Sequence, residues 1–363
     1  LKSAVSTAII LLTGIGLFFS VFGSLFAGFL LHDLMNVAYG EVLDLAVRYF
    51  SIYAIGFVLQ FIYNAVSAIL RAVGDSKATL YFLLVSSLIN LILDLLFVIG
   101  FNWGIAGAAA ATVISQFGSA AVSLLYMFRN YPIFRFGKGE FTFEKDKCFL
   151  CLKLGIPNTI QQSIVSFGNV FIQRLVNSFG EAAMAAFTVG VRMEGYLFVP
   201  AVGLSVGVSN FTAQNVGSGN IPRVRRGCRA SIVIVMIIAI TLELISYIFA
   251  APISALFGVS GEAYRLSITY VRFLSFFFWM FAIYICFSGL LQGSGDVVYA
   301  MLGSLISLAV RVITAYFMVY VLGIDFSAVW KAMPIGWIAC LTMAVWRYLS
   351  GGWKEKGVVK RNG

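Results

Sequence analysis

"SSLINLILDLL", residues 86 to 96, sets Asn90 and Asp94 four positions apart in a run made otherwise almost wholly of leucine and isoleucine. The apolar residues are continuous rather than alternating with period two, so the run reads as a helix and not as a barrel strand. Taken to its natural limits, residues 78 to 100, it is long enough to cross roughly 30 Å of hydrocarbon at about 1.5 Å per residue. A carboxylate at the centre of such a span costs about 2.5 to 3.5 kcal/mol on insertion scales, so it is seldom kept without a partner or a role.

The rest of the chain repeats the pattern. Of 363 residues, 61% are hydrophobic and 11% charged, with a mean hydropathy of +0.95, whereas a soluble globular chain carries roughly 25% charged residues. An all-α integral membrane protein in a lipid bilayer is expected. Ten spans are placed at about 4–31, 42–70, 78–100, 104–128, 148–176, 182–215, 230–256, 264–291, 297–321 and 327–349. The net charge of +10 resides mostly in short connections between spans, which reports topology rather than a nucleic-acid partner. Basic connections (Arg71 and Lys77; Arg129 to Lys147, with Arg135 and Lys138; Arg223 to Arg229; Lys354 to Arg361, with Lys356 and Lys360) alternate with nearly uncharged ones around His32, Asn102, Ser178, Ser260 and Gly323. The positive-inside rule then puts both termini in the cytoplasm. Five cysteines show no regular framework and say little about redox compartment.

The polar stretch 129–147 divides the chain into an N-terminal lobe, 1–128, and a C-terminal lobe, 148–350, followed by a cytoplasmic tail, 351–363. An internal repeat supports the division. "SAILRAVGDSKATL" (67–80) resembles "SGLLQGSGDVVYAM" (288–301), pairing Asp75 with Asp296 at an offset of 221 residues that also pairs Gly40 and Glu41 with Gly261 and Glu262. Two pseudo-symmetric helical lobes of like topology are expected, as in repeat-built transporters. In that register the first lobe has four helices against six. With Leu1 at the opening, this reads as a fragment of a twelve-span protein.

Asn90 and Asp94 lie on one helical face about 5 to 6 Å apart. A carboxylate beside an amide carbonyl offers hard oxygen ligands to a small cation, and the carboxylate can equally bind and release a proton. The plainer alternative is interhelical hydrogen bonding with no transport role. The repeat weighs against it: Asn90 and Asp94 face Arg311 and Ala315 at the 221 offset, whereas glue required by a shared architecture belongs in both lobes. Arg192 and Glu194 line a cavity or neutralise one another near a helix end. Arg48, Arg174, Glu243, Arg272 and Lys331 read as snorkelling residues near span ends, while Arg311 sits deeper. Gln161 and Gln162 are candidates to hydrogen-bond a substrate or a neighbouring helix. One histidine, His32, cannot build a Ser-His triad or a His-ligated metal site within the membrane. Cys148 and Cys151 form a lone C-x-x-C, a weak metal signal, and "GSG" at 217–219 and 293–295 lacks the Lys-Ser/Thr of a phosphate-binding loop. No catalytic residue, metal or cofactor is expected.

Four stretches, "LRAVGDSKATLYFLLVSSLINLILDLLFV" (70–98), "GIAGAAAATVISQ" (104–116), "VSNFTAQNVGSGNIPRVRRG" (208–227) and "LLQGSGD" (290–296), together resemble the multidrug and toxic compound extrusion (MATE) transporters over nearly the full length. The resemblance implies twelve helices in two six-helix lobes and exchange of Na⁺ or H⁺, the coupling ion, for amphipathic, often cationic compounds. It implies a first-lobe cation site in which Asn90 and Asp94 are joined by Thr112. The family's first-helix aspartate has no counterpart here, and the acids of one sodium-coupled branch are missing from "QQSIVSFGNV" and "FFFWMFAIYICF". Ion coupling is therefore expected to run through the first lobe.

The expectation is a non-enzymatic antiporter of the inner (plasma) membrane, monomeric, with small amphipathic substrates meeting Gln161, Gln162 and Arg311. Its rivals are a lipid-linked saccharide flippase of the same superfamily and a transport-inactive fragment.

Overall fold

The computed structural model describes residues 2–34, 40–137 and 139–356. Lys138, Lys360 and Arg361, which contribute to the expected topology, lie outside them, as do the side chain of Lys356 and the tail beyond it. The described residues are helical, without strands, and divide into two compact units, Leu1–Leu152 and Lys153–Gly363.

The first unit contains α1 (Lys2–Leu25), the single turn α2 (Ala27–Phe29) with a π-helical stretch at Leu30–Leu34, α3 (Glu41–Ile55), α4 (Phe57–Ala72), α5 (Ser76–Asp94) and α6 (Gly104–Asn130). A π-helical turn, Leu95–Gly100, continues α5. The second unit takes most of α7 (Lys145–Asn177), then α8 (Glu181–Gly217), α9 (Ile221–Leu256), α10 (Gly261–Leu274), α11 (Phe278–Gly293), α12 (Val297–Tyr320) and α13 (Ala328–Ser350). Among the described residues seven helices are long and apolar enough to cross a membrane, or nine when two bent pairs each count as one span. The expected span 148–176 falls in α7, which is 33 residues long but is not among the nine. Its run Asn158, Thr159, Gln161, Gln162 and Asn169 dilutes the apolar character.

Two expected single spans are bent. Residues 42–70 break at Gly56 with a 41° bend between α3 and α4, and 264–291 break between α10 and α11 with a 53° bend. At Gly56 a β-carbon would run into the end of the Gln116 side chain of α6, so that side chain would have to shift to admit a larger residue. At the second break Glu243 of α9 accepts a 2.6 Å hydrogen bond from the backbone N–H of Trp279, in the first turn of α11. That contact satisfies a first-turn N–H that has no intrahelical acceptor. Glu243 is therefore not a snorkelling residue: it lies mid-helix and is 7% exposed, while Arg48, Arg174, Arg272 and Lys331 are exposed.

The repeat is visible element by element. Asp75 and Asp296 occupy the N-cap positions of α5 and α12, while Gly40 is the N-cap of α3 and its counterpart Gly261 the first residue of α10, one position later. Asp75 accepts from the Ala78 N–H at 3.1 Å and from the hydroxyls of Tyr126 and Tyr131 at 3.0 and 2.8 Å. Desolvation opposes ionisation of Asp75, but these three hydrogen bonds outweigh it and hold its pKa below the ordinary aspartate value. The bond to Asp75 is the main cause that pushes the Tyr131 phenol up to about 12. Asp296, by contrast, meets Arg347 of α13 at 2.6 Å, and that guanidinium lies 4.0 Å from the centre of the Tyr299 ring. The connection after α6 folds back on α1: Ser6 donates to the Thr142 carbonyl at 2.6 Å, and Lys2 pairs with Glu140 at 2.6 Å.

Candidate functional site

Helix α5 turns most of its surface outward; Leu88, Leu91, Ile92 and Leu95 are all exposed. Its shielded stripe is Phe82, Ser86, Asn90 and Asp94, each four residues from the last, so all four stand on one face. That face meets antiparallel α6 as a ladder. Phe82 packs edge-on against Tyr126 with ring centres 5.3 Å apart, the Ser86 hydroxyl donates to the Ser115 carbonyl at 3.3 Å, and the Asn90 amide donates to the Thr112 hydroxyl at 3.5 Å. Thr112 in turn donates to the Ala108 carbonyl at 3.0 Å. Below these rungs Gly107 admits the Phe97 backbone and the Trp103 side chain, where a β-carbon would lie 3.1 and 2.9 Å from them.

Asp94 is the exception on the stripe. Its Oδ1 is shielded from solvent and has no hydrogen-bond partner among the described residues. It is the last α-helical residue before the π-helical turn, a distortion that recurs at functional positions. The structure thus brings Asn90 and Thr112 together and leaves Asp94 one turn away with an unsatisfied oxygen.

The other predicted residues meet in a cavity of about 680 Å³ inside the second unit, which Gln161, Gln162, Arg192, Glu194 and Arg311 line. Helix α7 rests there on α12: Gln161 hydrogen-bonds the Ser304 hydroxyl, Gly168 faces Leu308, and the Tyr316 hydroxyl donates to the Phe171 carbonyl at 3.1 Å. Ser304 also shares a 2.7 Å hydrogen bond with Tyr284. Phe187, Phe198, Tyr284 and Trp337 supply aromatic wall.

Glu194 is the residue that the sequence reading undervalued. It is not at a helix end: it lies well inside the 37-residue α8 and is 8% exposed. One carboxylate oxygen accepts from the buried Tyr270 hydroxyl. Tyr270 is held by stacking on Phe187 and Trp330, with ring centres 6.2 and 5.3 Å away, and its ring lies over Gly190, where any β-carbon would overlap it. Gly190 stands one turn before Glu194 on α8, so the missing side chain is what lets the phenol reach the acid. Arg311 lines the same cavity as Glu194, and its Nε is shielded and has no hydrogen-bond partner among the described residues. The 221 offset could not reveal this acid, because α8 precedes the stretch that the repeat pairs with the first unit.

Long apolar helices, two of the spans bent, and carboxylates buried among them define a helical membrane transporter. The structure superposes with a TM-score of 0.90 and 22% identity on an outward-facing multidrug resistance MATE family transporter of the MOP superfamily, covering 98% of this chain and 80% of that one. Residues 1–96 and 157–317 match the MatE family, and the chain belongs to that family, whose members are transporters rather than enzymes. Similar relatives include the probable multidrug resistance proteins YoeA and YpnP of Bacillus subtilis (strain 168). YoeA is 27% identical across 99% of this chain and 79% of its own length, and YpnP 28% identical across 98% and 78%.

Proposed function

We propose that the protein is a secondary active exporter of small amphipathic compounds, drugs among them, driven by exchange for Na⁺ or H⁺. Asp94 takes and releases the coupling ion, with Asn90 and Thr112 as neutral oxygen donors beside it, and the cavity bearing Gln161, Gln162 and Arg311 receives substrate. It works as a monomer in the inner (plasma) membrane with both termini cytoplasmic, in keeping with the basic connections.

The observation that carries this reading is the shielded, unpartnered Asp94 oxygen. A buried polar group left without a partner costs about 1 to 3 kcal/mol, and a carboxylate in a span costs more. An ion that binds and leaves accounts for that cost better than fixed hydrogen bonding does, because Asn90 and Thr112 have partners and the Asp94 Oδ1 has none among the described residues. The names of the relatives support the substrate class. The test is efflux of a fluorescent drug from cells expressing wild type or Asp94→Asn, with surface expression measured in parallel. Loss of ion-driven efflux at equal expression is expected, and retention of driven efflux contradicts the assignment.

A further inference from the structure

We propose that the cavity of the second unit reads an oxyanion, a carboxylate or phosphate carried on an aromatic or other apolar body, with Arg311 as the reading group. The proposal rests on the cavity being a substrate site and narrows what that site takes.

The lining carries two guanidinium groups, Arg192 and Arg311, against one carboxylate, Glu194. That carboxylate is not available to a ligand cation. It is bonded to a tyrosine clamped between Phe187 and Trp330 over Gly190. What remains of full charge for a ligand is positive, beside amide and hydroxyl groups that can donate or accept.

Arg311 is placed to use them. It lies nine residues before Tyr320, the nearer end of α12, about 14 Å at the helical rise, too deep for snorkelling to bring the guanidinium to the membrane surface. Its backbone is held firmly. Helix α13 packs against this turn through Gly336, where a β-carbon would sit 2.6 Å from the Ser307 carbonyl and 3.3 Å from the Arg311 Cβ. A buried N–H donor with no acceptor is costly, and the planar guanidinium fork matches the two oxygens of a carboxylate or phosphate. Phe198 and Trp337 line the same cavity and give the apolar body of the ligand a surface to stack on.

The experiment uses the purified full chain and three probes of one shape: 2-naphthoate, 2-naphthyl phosphate and the uncharged 2-naphthamide. Equilibrium binding at neutral pH is measured for wild type, Arg311→Gln and Arg311→Lys. Wild type is expected to bind at least one oxyanion about tenfold or more tightly than the amide, and the tighter of the two identifies the head group. Arg311→Gln erases that preference, with its unfolding midpoint in detergent matched to wild type to show that it is folded; Arg311→Lys keeps part of it. Equal binding of amide and oxyanions by wild type, or an undiminished preference in Arg311→Gln, overturns the oxyanion reading and leaves the substrate cavity standing. Binding of none of the probes overturns both.

Discussion

The two units hold the acids within and between their helices differently. In the second, every buried carboxylate described above has a partner: Glu194 takes the Tyr270 hydroxyl, Glu243 the Trp279 N–H, and Asp296 the Arg347 guanidinium. In the first, Asp75 is satisfied by hydroxyls and an N–H at a helix start, but Asp94 has a shielded oxygen with nothing bonded to it among the described residues. A partnered acid holds helices together, and its removal should loosen the fold. An unpartnered one adds cost to the resting protein, and its retention points to a ligand.

Stability measurements on variants can break this contrast. The largest loss is expected at Arg347→Ala, which strands Asp296, itself 3% exposed; leaving one partner of a buried ion pair alone costs about 3 to 5 kcal/mol. Thermal unfolding in detergent should register it, and an unshifted midpoint would mean that the pair is idle. Gly190→Val drives a side chain into the Tyr270 ring, an overpacking cost of about 1 to 3 kcal/mol, and the same midpoint reads it.

Tyr270→Phe removes only the hydroxyl and leaves the Glu194 carboxylate unpaired, a loss of about 1 to 3 kcal/mol. A smaller effect, dependent on pH, belongs to Tyr131→Phe. Because the Asp75 pKa is lowered on folding, its contribution is present above the ordinary aspartate value of 3.8 and fades as pH falls through the folded value. The raised Tyr131 pKa has the opposite sense: its contribution is full below 10 and fades as pH rises through about 12. The phenylalanine variant should therefore differ from wild type most at neutral pH and converge with it at either extreme. A gap that is the same at every pH would remove the Asp75 bond from the account. Asp94→Asn is expected to have the smallest effect, an unchanged or slightly raised midpoint.

Much of this was legible in the sequence, for physical reasons that also explain the gaps. The four-residue spacing of Asn90 and Asp94 placed both on the face that meets α6, because a continuous apolar run can only be a helix in lipid and helices stack residues four apart. The 221 offset located the N-cap pair Asp75 and Asp296. The bends were hidden, since 42–70 and 264–291 stay apolar through them and a helix break leaves no hydrophobic mark. Glu194 and Tyr270 were hidden for another reason. They are 76 residues apart, and only packing tells which face of a wholly apolar bundle looks inward. Gly190, one turn before Glu194, was a signal available in advance, because a glycine inside a helix often marks the close approach of a neighbour.

Ion-driven transport by the purified full chain in proteoliposomes tests the central claim most directly, with wild type, Asp94→Asn and Glu194→Gln compared under an imposed Na⁺ or H⁺ gradient. Wild type and Glu194→Gln should move a fluorescent amphiphile in response to the gradient, and Asp94→Asn should not, while keeping its unfolding midpoint. Gradient-driven transport by Asp94→Asn, or its loss in Glu194→Gln with the fold intact, would contradict the account.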